Sequence, residues 1–69
     1  EIRVQRGWRE LFGPMVAQYT RELFVKNEVL YVFLTSSVLR NELVLCRERM
    51  MKRLNEYAGS EVIKDIMIR

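Results

Sequence analysis

The first stretch of the chain carries apolar residues at the period of a helix. Four of them follow one another at spacings of four, three and four residues: Val4, Trp8, Leu11 and Met15. Such spacing places them on one face of an α-helix. The Gly13-Pro14 pair should interrupt this helix, because proline lacks a backbone N–H and disfavours helical geometry in the residue before it. The helix should then resume for one short turn over 15–19, with Pro14 as its first helical residue.

Two runs of alternating, β-forming residues come next, Thr20–Lys26 and Val29–Ser36, and they predict two strands. The segment between them, Lys26-Asn27-Glu28, is short and polar, which predicts an antiparallel hairpin. Asn27 tolerates a positive φ, but Glu28 stands where a tight turn prefers glycine. We therefore expect a longer or bulged turn.

The second half of the chain predicts one long helix and a closing strand. Ser36 or Ser37 can cap the helix by accepting an orphan backbone N–H, and Gly59 suits the left-handed residue that ends it. Apolar residues recur between these caps at spacings of three and four for about six turns, namely Leu39, Leu43, Cys46, Met50, Leu54 and Tyr57. The run Val62–Arg69 then predicts a third strand.

The order of elements, α-β-β-α-β, predicts a two-layer α+β fold that spans residues 1–69 as one domain. The helix between the second and third strands lets these two run in parallel. The face toward the helices should carry Leu23, Val25, Leu30, Val32, Leu34, Ile66 and Ile68. The open face should carry Phe24, Tyr31, Phe33, Ile63 and Met67, which is more apolar surface than a monomer usually exposes.

Composition agrees with a small folded domain. The chain has 69 residues, 49% hydrophobic and 30% charged, which argues against intrinsic disorder. Twelve Lys and Arg against nine Asp and Glu give a net charge of +3, a mild bias toward anionic partners that ordinary solubility would also explain. A single cysteine allows no internal disulfide, so we expect either a reducing compartment such as the cytoplasm or a fold that needs no disulfide. No apolar run reaches the ~20 residues that span a bilayer, and no signal peptide pattern is present.

Residues for catalysis are scarce. The chain has no histidine and one cysteine, Cys46, which lies on the predicted core stripe and is expected to be a buried hydrophobe. No metal-ligand cluster, Walker-type phosphate loop or Gly-x-x-Gly clamp is present. We therefore expect no enzyme activity, no cofactor, no metal and no small-molecule substrate.

Basic residues concentrate on the second predicted helix, and these are Arg47, Arg49, Lys52 and Arg53. Arg49, Lys52 and Arg53, at i, i+3 and i+4, share one side of the helix, which could contact successive nucleic-acid phosphates. The alternative is an ordinary solvated face on which Arg49 or Arg53 pairs with Glu56. A second candidate surface on the first helix has the same ambiguity and consists of Arg3, Arg6 and Arg9.

The outward aromatic residues have three interpretations. Phe24, Tyr31, Phe33 and Met67 could form a protein or self-association surface. The rings could instead stack on single-stranded bases, or segments outside these residues could cover them. Protein contact or covering is favoured over base stacking, because few basic residues besides Lys26 lie nearby.

The order and spacing of short motifs along the chain resemble the DciA-like family, a domain catalogued as one of unknown function. The residues that carry the resemblance are Trp8, Leu11-Phe12-Gly13, Thr20-Arg21, Val25-Lys26-Asn27, Leu30-x-Val32, Ser36-Ser37, Glu42-Leu43, Leu54-Asn55, Gly59, Val62-Ile63-Lys64-Asp65-Ile66 and Ile68-Arg69. The sequence departs from the family at Glu28, where members commonly have glycine.

The resemblance implies a KH-like fold and a role in bacterial DNA replication. Members of the family associate with the replicative helicase, help to place it on DNA, bind DNA themselves and have no ATPase of their own. Some carry a further segment that contributes to these contacts. Our first hypothesis is therefore a DNA-binding adaptor of the replicative helicase. The alternatives are a KH-like RNA-binding module and a pure protein-interaction domain that uses the open sheet face.

Overall fold

Helices pack on one face of a small sheet in the computed structural model, which describes all residues 1–69. The elements in chain order are α1 (Ile2–Gln18), β1 (Thr20–Lys26), β2 (Val29–Leu34), α2 (Ser37–Leu45), α3 (Arg47–Ala58) and β3 (Asp65–Ile68). The sheet order is β1-β2-β3, with β1 antiparallel and β3 parallel to β2. The predicted α+β class and the parallel pairing are confirmed, and the arrangement is compatible with the KH-like fold that the resemblance implies.

The core lies between the helices and one face of the sheet. Its buried apolar residues are Val4, Trp8, Val16, Leu30, Val32, Leu34, Met50, Leu54, Ala58, Ile63 and Ile66. Trp8 is fully buried, and its Nε1 donates a hydrogen bond to Thr20 Oγ1 at 3.0 Å. That hydroxyl in turn donates to the Val16 carbonyl at 2.7 Å. The indole is therefore packed and satisfied in hydrogen bonding, as a buried tryptophan requires.

Helix α1 is broken at Gly13, as predicted. Gly13 has φ 88° and ψ 170°, outside helical geometry, and Pro14 follows it. The break rotates the second half of the helix relative to the first. Val16 is consequently buried, whereas Met15 is 64% exposed. The prediction that Met15 continues the core face is therefore wrong, because a stripe counted at constant helical period does not survive the break.

The hairpin turn is tighter than predicted. Lys26 pairs directly with Val29, so only Asn27 and Glu28 form the turn. Both have positive φ, 54° and 66°, which is the geometry of a type I′ turn. The expected longer or bulged turn is wrong, since Glu28 adopts the left-handed conformation that glycine would take. The irregularity in the pairing lies instead at the other end of β1, between Thr20 and Glu22.

The predicted long helix is divided in two at Cys46. The Ser36 hydroxyl caps α2 by accepting from the Leu39 N–H at 3.2 Å, and Gly59 ends α3 with φ 85°, both as predicted. Cys46 has φ −104° and ψ 11°, so the helix axis changes direction there. The predicted buried position of Cys46 is wrong, because this change in direction leaves the thiol exposed.

The segment between α3 and β3 is held by one side chain. Asn55 Oδ1 accepts from the backbone N–H groups of Val62 and Ile63, at 3.0 and 3.1 Å. Its amide donates to the Ile63 carbonyl at 3.0 Å. The strand begins only at Asp65, so strand alternation does not apply to Ile63. Its predicted place on the open face is wrong, because Ile63 is 1% exposed in the core.

Candidate nucleic-acid interface and open sheet face

Helix α3 presents a basic side to solvent. Met50, Leu54 and Ala58 recur every four residues and are buried, which turns the side chains between them outward. Arg49, Lys52 and Arg53 are exposed there. We call these three residues the basic side of α3.

No residue on the basic side of α3 forms a salt bridge. The salt bridges of the molecule join Arg3 to Glu1, Arg47 to Asp65 and Lys64 to Glu28. The alternative in which Arg49 or Arg53 pairs with Glu56 therefore has no ion pair in the structure to support it. The guanidinium of Arg53 lies 5.6 Å from the centroid of the Phe12 ring, a cation–π contact that orients the group without neutralising it.

Arg47, the fourth basic residue predicted on this helix, lies apart from the other three. Its Nε is 3.6 Å from Asp65 Oδ1, and both side chains are about half exposed. An exposed pair of this kind contributes little to stability. Arg47 therefore points toward β3, and its charge is partly compensated where those of Arg49, Lys52 and Arg53 are not.

The second candidate surface, on α1, is divided in the structure. Arg3 is paired with Glu1 at 2.6 Å and donates from Nη1 to the Ala58 carbonyl at 2.7 Å. It thereby joins the start of α1 to the end of α3, and its hydrogen bonds lower the pKa of the Glu1 carboxyl. Arg6 and Arg9 are exposed, and neither forms a salt bridge.

The open sheet face carries a stack of aromatic rings. Phe24 stacks with Tyr31 at 5.1 Å and 15° between ring planes, and with Phe33 at 6.1 Å and 20°. Met67 is the register partner of Tyr31 on the other side. The four residues predicted for this face therefore lie together on it, and we call them the aromatic face.

The stacking limits what the aromatic face can do. Near-parallel rings at these distances are offset-stacked, so one face of Tyr31 and one of Phe33 are turned partly toward Phe24. A base needs an uncovered ring face on which to stack. The geometry therefore favours contact with an apolar protein surface over base stacking.

A second exposed apolar region, besides the aromatic face, was not among the predictions from the sequence. It lies on α2 and the second half of α1, where Met15, Val38 and Leu45 are 64%, 71% and 86% exposed. Helix α2 has no buried residue. The signal that could have found it is the position of Val38 and Leu45, which fall off the apolar stripe of the predicted long helix.

Two further properties bear on function. No group of three or more His, Cys, Asp or Glu side chains is placed to hold a metal ion. Every helix is too short or too polar to cross a membrane.

Comparison with known protein families gives a match over residues 1–68, which include every helix and strand. The matching family is described as "Dna[CI] antecedent, DciA". No curated protein matches the chain.

Proposed function

The chain belongs to the DciA family, and from this membership we propose that the protein is a non-enzymatic adaptor that binds DNA and the bacterial replicative helicase. The family is associated with helicase loading in DNA replication. In the proposed role the protein helps to place the helicase on DNA in the cytoplasm. The energy for loading would come from the helicase or another partner.

The basic side of α3 is the observation that carries the DNA-binding half of the proposal. Three cations at i, i+3 and i+4 stand on a rigid helix, and none has an acidic partner. Their side chains can contact successive phosphates along a strand, and such contacts hold a protein on DNA without reading its sequence. We therefore assign phosphate contact to Arg49, Lys52 and Arg53, with Arg47, Arg6 and Arg9 in supporting positions and Arg3 least available.

The test is fluorescence anisotropy of labelled single-stranded and duplex DNA over a range of salt concentrations. We expect Lys52→Gln to weaken binding to all sequences alike and to reduce the slope of log affinity against log salt by about one. The matched control is Lys64→Gln, which removes the same charge from a lysine already paired with Glu28. The phosphate assignment is wrong if Lys52→Gln binds like the unchanged protein at both low and high salt.

RNA of the same sequences belongs in that experiment. Tighter binding to RNA than to DNA would favour the alternative of a KH-like RNA-binding module. Absence of any nucleic-acid binding at low salt would leave a pure protein-interaction domain, for which the aromatic face is the supporting observation.

The helicase half of the proposal uses the aromatic face. Phe24 is 40% exposed, and the stacked rings offer an apolar surface of the kind that protein partners bury. We expect Phe24→Ser to abolish co-purification with the replicative helicase while the circular dichroism spectrum and DNA binding stay unchanged. Retention of the helicase complex by a folded variant would exclude this face as the contact.

A further inference from the structure

A groove runs between the second half of α1 and α2. Helix α1 packs mainly on α3 and β1, whereas α2 packs on β2 and β3, so these two helices leave a gap. One part of the gap, of about 380 Å³, has Phe12 and Leu43 on its walls. A second part, of about 230 Å³, has Met15 and Leu39. Leu39 and Leu43 lie about one turn apart on α2, so the two parts follow one another along this helix, and we call them together the α1–α2 groove.

The charges at the Phe12 end of the α1–α2 groove are all positive, whereas Glu42 lines the other end. Arg49 and Arg53 are the only charged residues that line its larger part. Neither has an acidic partner, and Arg53 is held over Phe12. An occupant that suits this end is apolar where it meets the floor and negatively charged at the rim.

The dimensions of the groove suit a helix. Val38 and Cys46 line its two ends along α2, and eight residues of helical rise separate them by about 12 Å. That length accommodates two turns of a partner helix, which anchors itself in such grooves through apolar residues at i, i+3 or i+4, and i+7.

We propose that the α1–α2 groove binds an acidic amphipathic α-helix of a protein partner. Its apolar side packs on Phe12, Leu39 and Leu43, and its carboxylates pair with Arg49 and Arg53. This docking site goes beyond the proposed function, and only the competition with DNA rests on that function. Since Arg49 and Arg53 also belong to the basic side of α3, the acidic helix and DNA compete for them.

The probe is a labelled synthetic peptide of about 14 residues, four helical turns, with Leu at the anchor positions and Glu at the flanking ones. A matched peptide carries Lys in place of each Glu. In anisotropy we expect the Glu peptide to bind about tenfold more tightly than the Lys peptide. Amide chemical shifts should move for residues of the α1–α2 groove.

Three variants locate the site. Val38→Asp places a charge at a position that is 71% exposed, so it should weaken the Glu peptide by about tenfold without unfolding the protein. The double change Arg49→Glu with Arg53→Glu should reverse the preference, so that the Lys peptide binds more tightly. Lys52→Glu lies outside the groove lining, and it should weaken DNA binding while peptide affinity stays within about twofold.

Several results would overturn the inference. The first is equal affinity for the Glu and Lys peptides, and the second is a shift pattern on the aromatic face. A third is a dimer in sedimentation that Val38→Asp dissociates, because the occupant would then be a second copy. A fourth is that single-stranded DNA shifts the amide signals of Leu39 and Leu43 whereas the peptide does not. If the unchanged protein binds the Glu peptide but no DNA, the proposed function would be wrong and the assignment of the groove would stand.

Discussion

Gly7 allows α1 and α3 to approach each other closely. A Cβ at this position would lie 2.9 Å from Tyr57 Cδ1, closer than packed atoms allow, and 3.3 Å from Leu54 Cδ2, which is a tight contact. Glycine inside a helix costs about 1 kcal/mol relative to alanine. Its use here is therefore explained by packing and not by backbone conformation.

The change Gly7→Ala should lower the free energy of unfolding by about 1 kcal/mol, because an overpacking cost of about 1–3 kcal/mol exceeds the ~1 kcal/mol gain in helix propensity. Urea denaturation measures this. In a Tyr57→Ala background the clash is relieved, so Gly7→Ala should become stabilising there. Equal effects in both backgrounds would show that the Tyr57 ring does not restrict position 7.

Tyr57 also joins α3 to α1 through a hydrogen bond that affects the ionisation of its hydroxyl. Its hydroxyl donates a hydrogen bond to the Glu10 carboxylate, and this bond raises the pKa of Tyr57 above its ordinary value. The stabilising contribution is therefore fully present below the unfolded-state pKa and is lost as pH rises through the higher folded-state pKa.

Ultraviolet titration of phenolate in a Tyr19→Phe, Tyr31→Phe background isolates Tyr57. We expect Glu10→Gln to lower the pKa of Tyr57, because the neutral amide no longer favours the protonated phenol. An unchanged titration in Glu10→Gln would mean that the hydrogen bond is not maintained in solution.

Among the elements, the hairpin between β1 and β2 carries the clearest local strain. Glu28 has φ 66°, a conformation that a residue with a Cβ adopts at a cost of roughly 1 kcal/mol. Its carboxylate forms a 3.0 Å pair with Lys64, but both side chains are largely exposed, so the pair compensates little.

Glu28→Gly should therefore raise the thermal midpoint, with a gain of about 0.5–1 kcal/mol from relief of the strain. Glu28→Gln keeps the strained backbone and removes the charge, so its midpoint should stay close to that of the unchanged protein. A stabilising Glu28→Gln would assign the effect to charge and contradict the backbone explanation.

At the scale of the whole molecule, burial is distributed unevenly. Strand β2 is paired on both sides and contributes the buried residues Leu30, Val32 and Leu34. Helix α2 contributes none. Opening an element costs less free energy when it buries less apolar surface. Helix α2 should therefore open before the rest of the fold.

Native-state hydrogen exchange should show this order. We expect the amides of β2 to exchange only through global unfolding, with a strong dependence on denaturant. The amides of α2 should exchange much faster and with little denaturant dependence. Equal protection of α2 and β2 would show that α2 is cooperative with the core. If the groove proposal is correct, the Glu peptide should slow exchange in α2 specifically.

Local sequence patterns were enough to predict the α+β class, the strand pairing, the break at Gly13, the Ser36 and Gly59 caps and the shared face of the four aromatic-face residues. Each depends on local geometry: proline lacks an N–H, a serine hydroxyl caps a helix, and side chains alternate along a strand. The resemblance supplied the family. The basic residues could be listed, but their ion pairing could not.

The remaining features depend on how the elements pack against one another. The bend at Cys46 exposes a thiol that the helical period places in the core, and the break at Gly13 replaces Met15 by Val16 as the buried residue. The hydrogen bonds of Asn55 bring Ile63 inward before the strand begins. Arg47 forms a salt bridge, whereas Arg49, Lys52 and Arg53 do not, because the fold brings Asp65 close to Arg47 alone among them. A periodic pattern assumes that an element continues unbroken, and these outcomes depend on breaks and long-range contacts that no local pattern contains.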